Sequence, residues 1–388
     1  MTKQTVDEKL FQRPCLLIVA LKYSPVHINL CRAYGEPLRK QGWKVKYLLT
    51  NEFAWKTPPS QLDHTIFLGS SRKLTGVLWD TFANLTVHRH KIMVLLRSLS
   101  PSLIFFEAPH PANIIIASYA RRVNPQIRLW ALLHEPFVRE KQYYGRRQGW
   151  VISVNHAITT FLLPFLDGVL VASEEAMTQF KERYRCFKGP VLKVPLLFED
   201  RSEIVNMKRR YFSFVGFAAL NKGIDIFFKM VEFFAGHRQE KKWEFQIATS
   251  SDISGYLRKL SSSAQDCLRV VNKRNLSDSE IDAAIHESYA VIAPYRYTTQ
   301  SGVLPVAFMH GTPVISTAVG GLREFVIPGE TGYIVENIDS WSEWERCFIL
   351  VQENFEQLAS RCRDFFLQHF DSNLASEYLK PVVESIKV

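Results

Sequence analysis

The turn after the first apolar run of this chain of 388 residues contains no glycine. The run is Cys15 to Leu21, CLLIVAL, and the turn is Tyr23-Ser24-Pro25-Val26-His27. A dinucleotide cofactor needs glycines there, so that the backbone can approach the pyrophosphate, and their lack argues against a dehydrogenase. Cysteine is sparse: six residues, with no CxxC pair and no cluster with histidine. That spacing argues against structural zinc and against a disulfide framework. No Asp-x-Asp pair occurs. The N-terminus, MTKQTVDEKLFQRP, has no apolar core, so no signal peptide is expected and the cytoplasm is the expected compartment. Val151 to Ala172, VISVNHAITTFLLPFLDGVLVA, has the length of a membrane span. Asn155, His156 and Asp167 interrupt it, and Pro164 and Gly168 break it, so it reads as a helix, a turn and a buried strand.

Hydrophobic residues make up 47% and charged residues 22%, ordinary values for a folded chain long enough for two domains. The net charge of +10 is unevenly spread. Residues 1–195 hold 27 Lys and Arg against 13 Asp and Glu, and the rest hold 21 against 25. A basic first half suits an anionic membrane, a nucleic acid or a phosphorylated substrate.

Apolar runs alternate with helical patterns along the whole chain, which predicts parallel α/β sheets. Strands are expected at Lys44–Thr50, Thr65–Leu68, Leu103–Phe106, Arg128–Leu133 and Gly168–Ser173, and again from Tyr211, while Val191–Pro195 closes the first domain. Helices are expected at Leu30–Gln41, Leu78–Leu99 and Ile114–Arg122. The chain is organised around residues 289–336. There Tyr289–Ala293 is a strand, Tyr295–Gly302 a loop, Val303–His310 a helix with Pro305 in its first turn, and Val314–Thr317 a strand before the Gly320-Gly321 turn. Ligands of such sheets bind where strands end and helices begin, at the loop Thr298-Thr299-Gln300-Ser301-Gly302.

The run GTPVISTAVGGLREFVIPGETGYIVE resembles the nucleotide-binding signature of family-4 retaining glycosyltransferases, which have the two-domain GT-B fold. The resemblance covers the Gly-Thr-Pro-Val strand, the Gly-Gly-x-x-Glu turn and the Gly-x-Thr-Gly element. It implies a nucleotide-sugar donor site in the second half, with Asn221, Lys222, Arg274, Asn275, Thr298, Gln300, Ser301 and Gly302 as donor-binding residues. The chain departs from the pattern at three places. Thr298 and Val306 stand where the resemblance would place glutamates, and Phe217 stands where it would place an arginine beside Lys222-Gly223. Arg274 is the candidate to replace that arginine. The resemblance also puts a cleft histidine at the end of the Arg128–Leu133 strand, which makes His134 the candidate catalytic residue.

His27 and the Arg146-Arg147 pair are the candidate acceptor-binding residues. Residues 138–150, VREKQYYGRRQGW, interleave cations with aromatics, as a membrane interface does. The domains are expected at 1–200 (Rossmann-like, acceptor-binding), 201–370 (Rossmann-like, nucleotide-sugar-binding) and 371–388 (a helix crossing back to the first domain). The expected function is metal-independent, retaining transfer of a hexosyl group from a nucleotide sugar to a glycan or lipid-linked acceptor. No cofactor is expected, the expected partners include an anionic membrane surface but no nucleic acid, and the site of action is peripheral, on the cytoplasmic face. The three departures also support a silent GT-B-like binding subunit. An epimerase would need a carboxylate pair, for which Glu107 and Glu135 are the nominees.

Overall fold

The computed structural model describes residues 13–23, 25–56, 65–68, 86, 88–202, 208–236 and 243–386, without the side chains of residues 25, 26, 55, 56, 67, 68 and 147. The first half forms a sheet of seven parallel strands: β1 (Cys15–Ala20), β2 (Lys44–Thr50), β3 (Thr65–Leu68), β4 (Leu103–Phe106), β5 (Arg128–Leu133), β6 (Gly168–Val171) and β7 (Val191–Lys193). Their spatial order is β3-β2-β1-β4-β5-β6-β7. The second half forms a six-stranded parallel sheet from β8 (Tyr211–Val215), β9 (Phe245–Thr249), β10 (Leu268–Asn272), β11 (Ser288–Ala293), β12 (Val314–Thr317) and β13 (Gly332–Val335), in the order β10-β9-β8-β11-β12-β13.

The central strands are buried on both faces: every residue of β1, β4 and β6 is buried. That is why they appear in the sequence as unbroken apolar runs rather than alternating ones. In each sheet the order reverses beside the first strand, between β1 and β4 and between β8 and β11. At such a reversal the neighbouring loops turn to opposite faces and leave a crevice at the strand ends. The two crevices face one another.

One apolar core runs through both halves, joining Tyr34 and Phe105 to Phe308, Phe366 and Phe370. The backbone crosses between them at Phe198, whose N–H donates to the Phe370 carbonyl at 2.8 Å while its own carbonyl accepts from the Ser372 N–H at 2.9 Å. The helix Ala375–Tyr378 then packs on the Pro25–Lys40 helix of the first half. Arg128 Nε donates to the Ser385 carbonyl at 3.2 Å.

Several expectations shift. The first helix begins at Pro25, not Leu30. Proline lacks an N–H and its ring presets a helical φ, so it suits a first turn. His27 is therefore on a helix rather than in a loop. The helix expected at Leu78–Leu99 is observed as Arg89–Leu99, and residues 78–85 and 87 lie outside the described residues. A short helix, Asn51–Lys56, was not expected. Val151–Ala172 divides into a helix that starts earlier, Gly145–Leu162, then a turn and β6. Among the described residues no helix is long and apolar enough to cross a membrane.

Gly223 fixes the second crevice. It has φ +67°, and a Cβ there would lie 1.8 Å from the Pro294 carbonyl oxygen. Gly223→Ala combines a left-handed backbone with a backbone clash. It should cost about 2 kcal/mol or more, read as a fall in the thermal unfolding midpoint. An unchanged midpoint would contradict this packing.

A candidate active site between the two sheets

On the second-half side, the loop after β8 makes one tight turn, Leu220–Lys222, and hands over to the Ile224–Gly236 helix at Gly223. The Asn221 carbonyl accepts from the Arg296 N–H at 2.9 Å. Arg296 in turn forks onto Asp225 at 2.6 and 2.7 Å. The turn is thereby pinned to the loop after β11, and Lys222 is aimed by it. Lys222 Nζ lies 4.1 Å from the centre of the Tyr295 ring and donates to Thr298 Oγ1 at 3.3 Å. Among the described residues no carboxylate pairs with it. It is a held, unneutralised cation, and such a charge attracts an anion such as a phosphate.

Ser301 Oγ and Tyr295 OH are 3.2 Å apart. Gln300, Ser301 and Gly302 line the cavity, while Thr298 is fully buried beneath them and holds Lys222 and the Gln300 carbonyl. Asn221 is also buried and does not line the cavity.

On the first-half side, one carboxylate organises two histidines. Glu107 follows β4 directly, and its side chain is fully buried. Its Oε1 is 2.6 Å from His27 Nδ1 and 2.9 Å from His134 Nε2. Burial alone would raise the Glu107 carboxyl, but the charge of His27 and hydrogen bonds from both imidazoles overcome it and hold the carboxyl at about 2. The carboxylate is therefore ionised at neutral pH. It takes one nitrogen of each ring and leaves His27 Nε2 and His134 Nδ1 as the ring nitrogens it does not engage. Both histidines line the cavity.

His110 is different: its Nδ1 accepts from the Ala112 N–H at 3.2 Å, and burial and Lys22 lower its pKa to about 4, which makes it a neutral helix cap. His27, Glu107 and His134 are also the group that could hold a metal ion, because their ligand atoms all lie within 4.8 Å of one another. Both imidazoles lie within hydrogen-bond distance of the same oxygen, Glu107 Oε1.

The cavity between the two sides has a volume of about 520 Å³. It brings together His27, His134, Lys222, Gln300, Ser301 and Gly302. It does not include Arg274 and Asn275, which are exposed in the loop after β10. β10 is the outer edge of its sheet, two strands from β8, and the helix that follows its loop returns to the cavity at Asp278, Ile281 and Ile285. Phe217 does stand at the cleft, 60% exposed. Arg146 is exposed on the Gly145–Leu162 helix but does not line the cavity, and the Arg147 side chain lies outside the described residues. The same helix lines the cavity through Ile152, Asn155, His156 and Thr159. Glu107 is the residue whose weight sequence reasoning missed. A carboxylate directly after an all-apolar strand was the available signal.

Residues 209–350 match a family model described as glycosyl transferases group 1. No curated protein matches the chain. Among solved structures it is similar to sucrose-phosphate synthase from Thermosynechococcus elongatus, at 17% identity and a TM-score of 0.70, over 97% of this chain and 99% of that one. It is similar to Anabaena HepE in complex with UDP-glucose, at 15% identity and a TM-score of 0.66, over 96% and 99%. It is also similar to the lipopolysaccharide outer core galactosyltransferase WaaB, at 14% identity and a TM-score of 0.64, over 96% and 99%. The two facing parallel sheets and these likenesses show the GT-B fold.

The low Glu107 pKa predicts a pH dependence. The folded-state carboxyl, at about 2, lies below its ordinary value of 4.5, so its contribution to stability is full above about pH 4.5. It is lost as pH falls toward 2. Glu107→Gln should cost about 2 kcal/mol or more at pH 7. In urea titrations the gap between variant and wild type should narrow steadily below pH 4.5. A gap that is constant with pH would contradict an ionised Glu107.

Proposed function

We propose that this chain is a glycosyltransferase that moves a sugar from a nucleotide-sugar donor to a glycan or lipid-linked acceptor. The observation that carries the proposal is an unpaired, pre-positioned cation, Lys222, across one cleft from a carboxylate-held pair of imidazoles. The group 1 match over the half that holds Lys222 supports it. In this proposal the donor diphosphate lies against Lys222 and the 300–302 backbone. Negative charge grows on that diphosphate as the glycosidic bond breaks, and a fixed cation in a largely apolar cleft stabilises the growth more than the ground state. His134 hydrogen-bonds a hydroxyl of the transferred sugar. The acceptor sits on the His27 side, and the basic first half suits a cytoplasmic membrane face. HepE is described with UDP and with UDP-glucose, which makes uracil the first base to test here.

The resemblance implies retention of anomeric configuration and no metal. A second mechanism is favoured by the 2.6 Å contact of His27 Nδ1 with Glu107. In the neutral imidazole, a carboxylate on Nδ1 fixes the tautomer that leaves Nε2 as the acceptor. His27 Nε2 would then take the proton of the attacking hydroxyl in a single displacement, and the product would be inverted. Proton NMR of the product separates the two outcomes by the anomeric coupling.

The transferase proposal itself is tested by calorimetric titration of UDP, GDP and ADP. One of them should bind the wild type, and Lys222→Ala should weaken it about tenfold or more, equal to about 1.4 kcal/mol, with an unchanged unfolding midpoint. No binding of any of the three by folded protein would contradict the donor site and favour a catalytically silent binding subunit.

A further inference from the structure

A second concavity, of about 350 Å³, opens beside the same Gly145–Leu162 helix and shares His156 with the cleft. Lys141 and Arg183 stand on its wall beside Phe137, Ser153, His156 and Phe161. The Arg183 guanidinium rests 5.6 Å from the centre of each of the Phe137 and Tyr184 rings. Stacking of this kind fixes a guanidinium while leaving its N–H groups at the edge free. Lys141 Nζ donates to Ser153 Oγ at 2.9 Å, which uses one of its three donors. Neither cation has a carboxylate partner among the described residues, and the nearby Glu182 is paired with Arg139. His156 adds no charge of its own. Its Nε2 accepts from the Val138 N–H at 3.2 Å, and burial, then Lys141 and Arg183, lower it to about 4.

The surroundings of this basic pocket are apolar and uncovered. Phe161 is 67% exposed, Trp150 53% and Val151 40%. Trp150, Ala157 and Phe161 are spaced by seven and four residues, so they share one face of the helix. A soluble phosphate would use the two cations and leave that face in water. A bilayer uses both, because its phosphates meet the cations while aromatic rings settle at headgroup depth.

We propose that Lys141 and Arg183 form a headgroup clamp for an anionic phospholipid, and that the outer face of the Gly145–Leu162 helix seats this protein on a membrane. The helix then has two working faces, because Ile152, Asn155 and Thr159 line the cleft. Seating the outer face brings the cleft mouth to the bilayer, where a lipid-linked acceptor would arrive. That last consequence rests on the transferase proposal; the clamp does not.

The test is co-sedimentation of the full chain with vesicles of phosphatidylcholine alone and of phosphatidylcholine with one-third phosphatidylglycerol. The wild type should bind the anionic vesicles and not the zwitterionic ones. Lys141→Glu with Arg183→Glu should reduce that binding about tenfold or more, a larger loss than neutralising surface charge in general would cause. Arg258→Glu with Lys259→Glu, the same charge change at two exposed cations of the second half, should lose far less. Trp150→Ser with Phe161→Ser should also reduce binding, at unchanged net charge. Equal losses in the two charge-reversed variants, or equal binding to both vesicle types, would overturn the clamp. So would displacement of the wild type from vesicles by millimolar glycerol phosphate at constant ionic strength, which would mark a soluble-phosphate site. Retention of a single-stranded oligonucleotide by the same two cations without vesicle binding would overturn it as well. The assay reads no sugar transfer, so its failure and that of the transferase proposal are separable.

Discussion

Thr299 ties the two halves of the molecule at the cleft itself, and the geometry of the cleft depends on it. Its carbonyl accepts from Ser173 Oγ at 2.7 Å and its hydroxyl donates to the His134 carbonyl at 3.1 Å. Both partners follow strands of the first sheet, while Thr299 follows β11 of the second. The contact is completed from behind by two glycines. A Cβ at Gly320 would lie 1.8 Å from the Thr298 carbonyl oxygen, and one at Gly321 would lie 2.1 Å from that of Thr299. The Gly-Gly turn thus exists so that one loop can lie flat on another. Because the Thr299 hydroxyl holds the backbone of His134, the same residue that anchors the phosphate-side loop also sets the position of the imidazole across the cleft.

The chemistry of the cleft follows from few charges in an apolar enclosure. Leu133, Val138, Ile152, Val215, Ile285 and Val306 supply much of its wall. In such surroundings a lone ion acts over a longer range than in water. Glu107 can be ionised there only because two imidazoles face it, and Lys222 is held against the Tyr295 ring and the Thr298 hydroxyl. The second sheet thereby contributes an unspent positive charge. The first sheet contributes a spent negative one, whose effect is passed on through His27 and His134. The molecule is asymmetric in the same sense as its sequence, with most of the excess basic charge in the half that carries the outer clamp.

The fold was legible in the sequence where burial is two-sided. Leu103–Phe106 and Arg128–Leu133 were read from their unbroken apolar runs and are observed with those bounds. The capping box observed at Ser277 and Glu280 depends only on two residues three apart, which is a local pattern. Features set by distant contacts were not legible. Glu107 meets partners 80 and 27 positions away, and no local pattern says that a carboxylate will be sealed between two histidines. Arg274 lies outside the cavity lining, on the loop after β10, and chain order gives no hint that β10 lies at the edge of its sheet. The strand Gly332–Val335 went unread because glycine and threonine there resemble a turn. Its Gly332 has φ +151°, a conformation that favours glycine.

The most direct test of the central claim, that the cleft between these sheets is where the donor binds, is amide hydrogen exchange with and without a saturating nucleoside diphosphate. The account predicts slower exchange in two separate segments, 216–223 and 298–303, with little change at β10 and the loop after it. Protection confined to other segments, or protection around 272–276 alone, would contradict it.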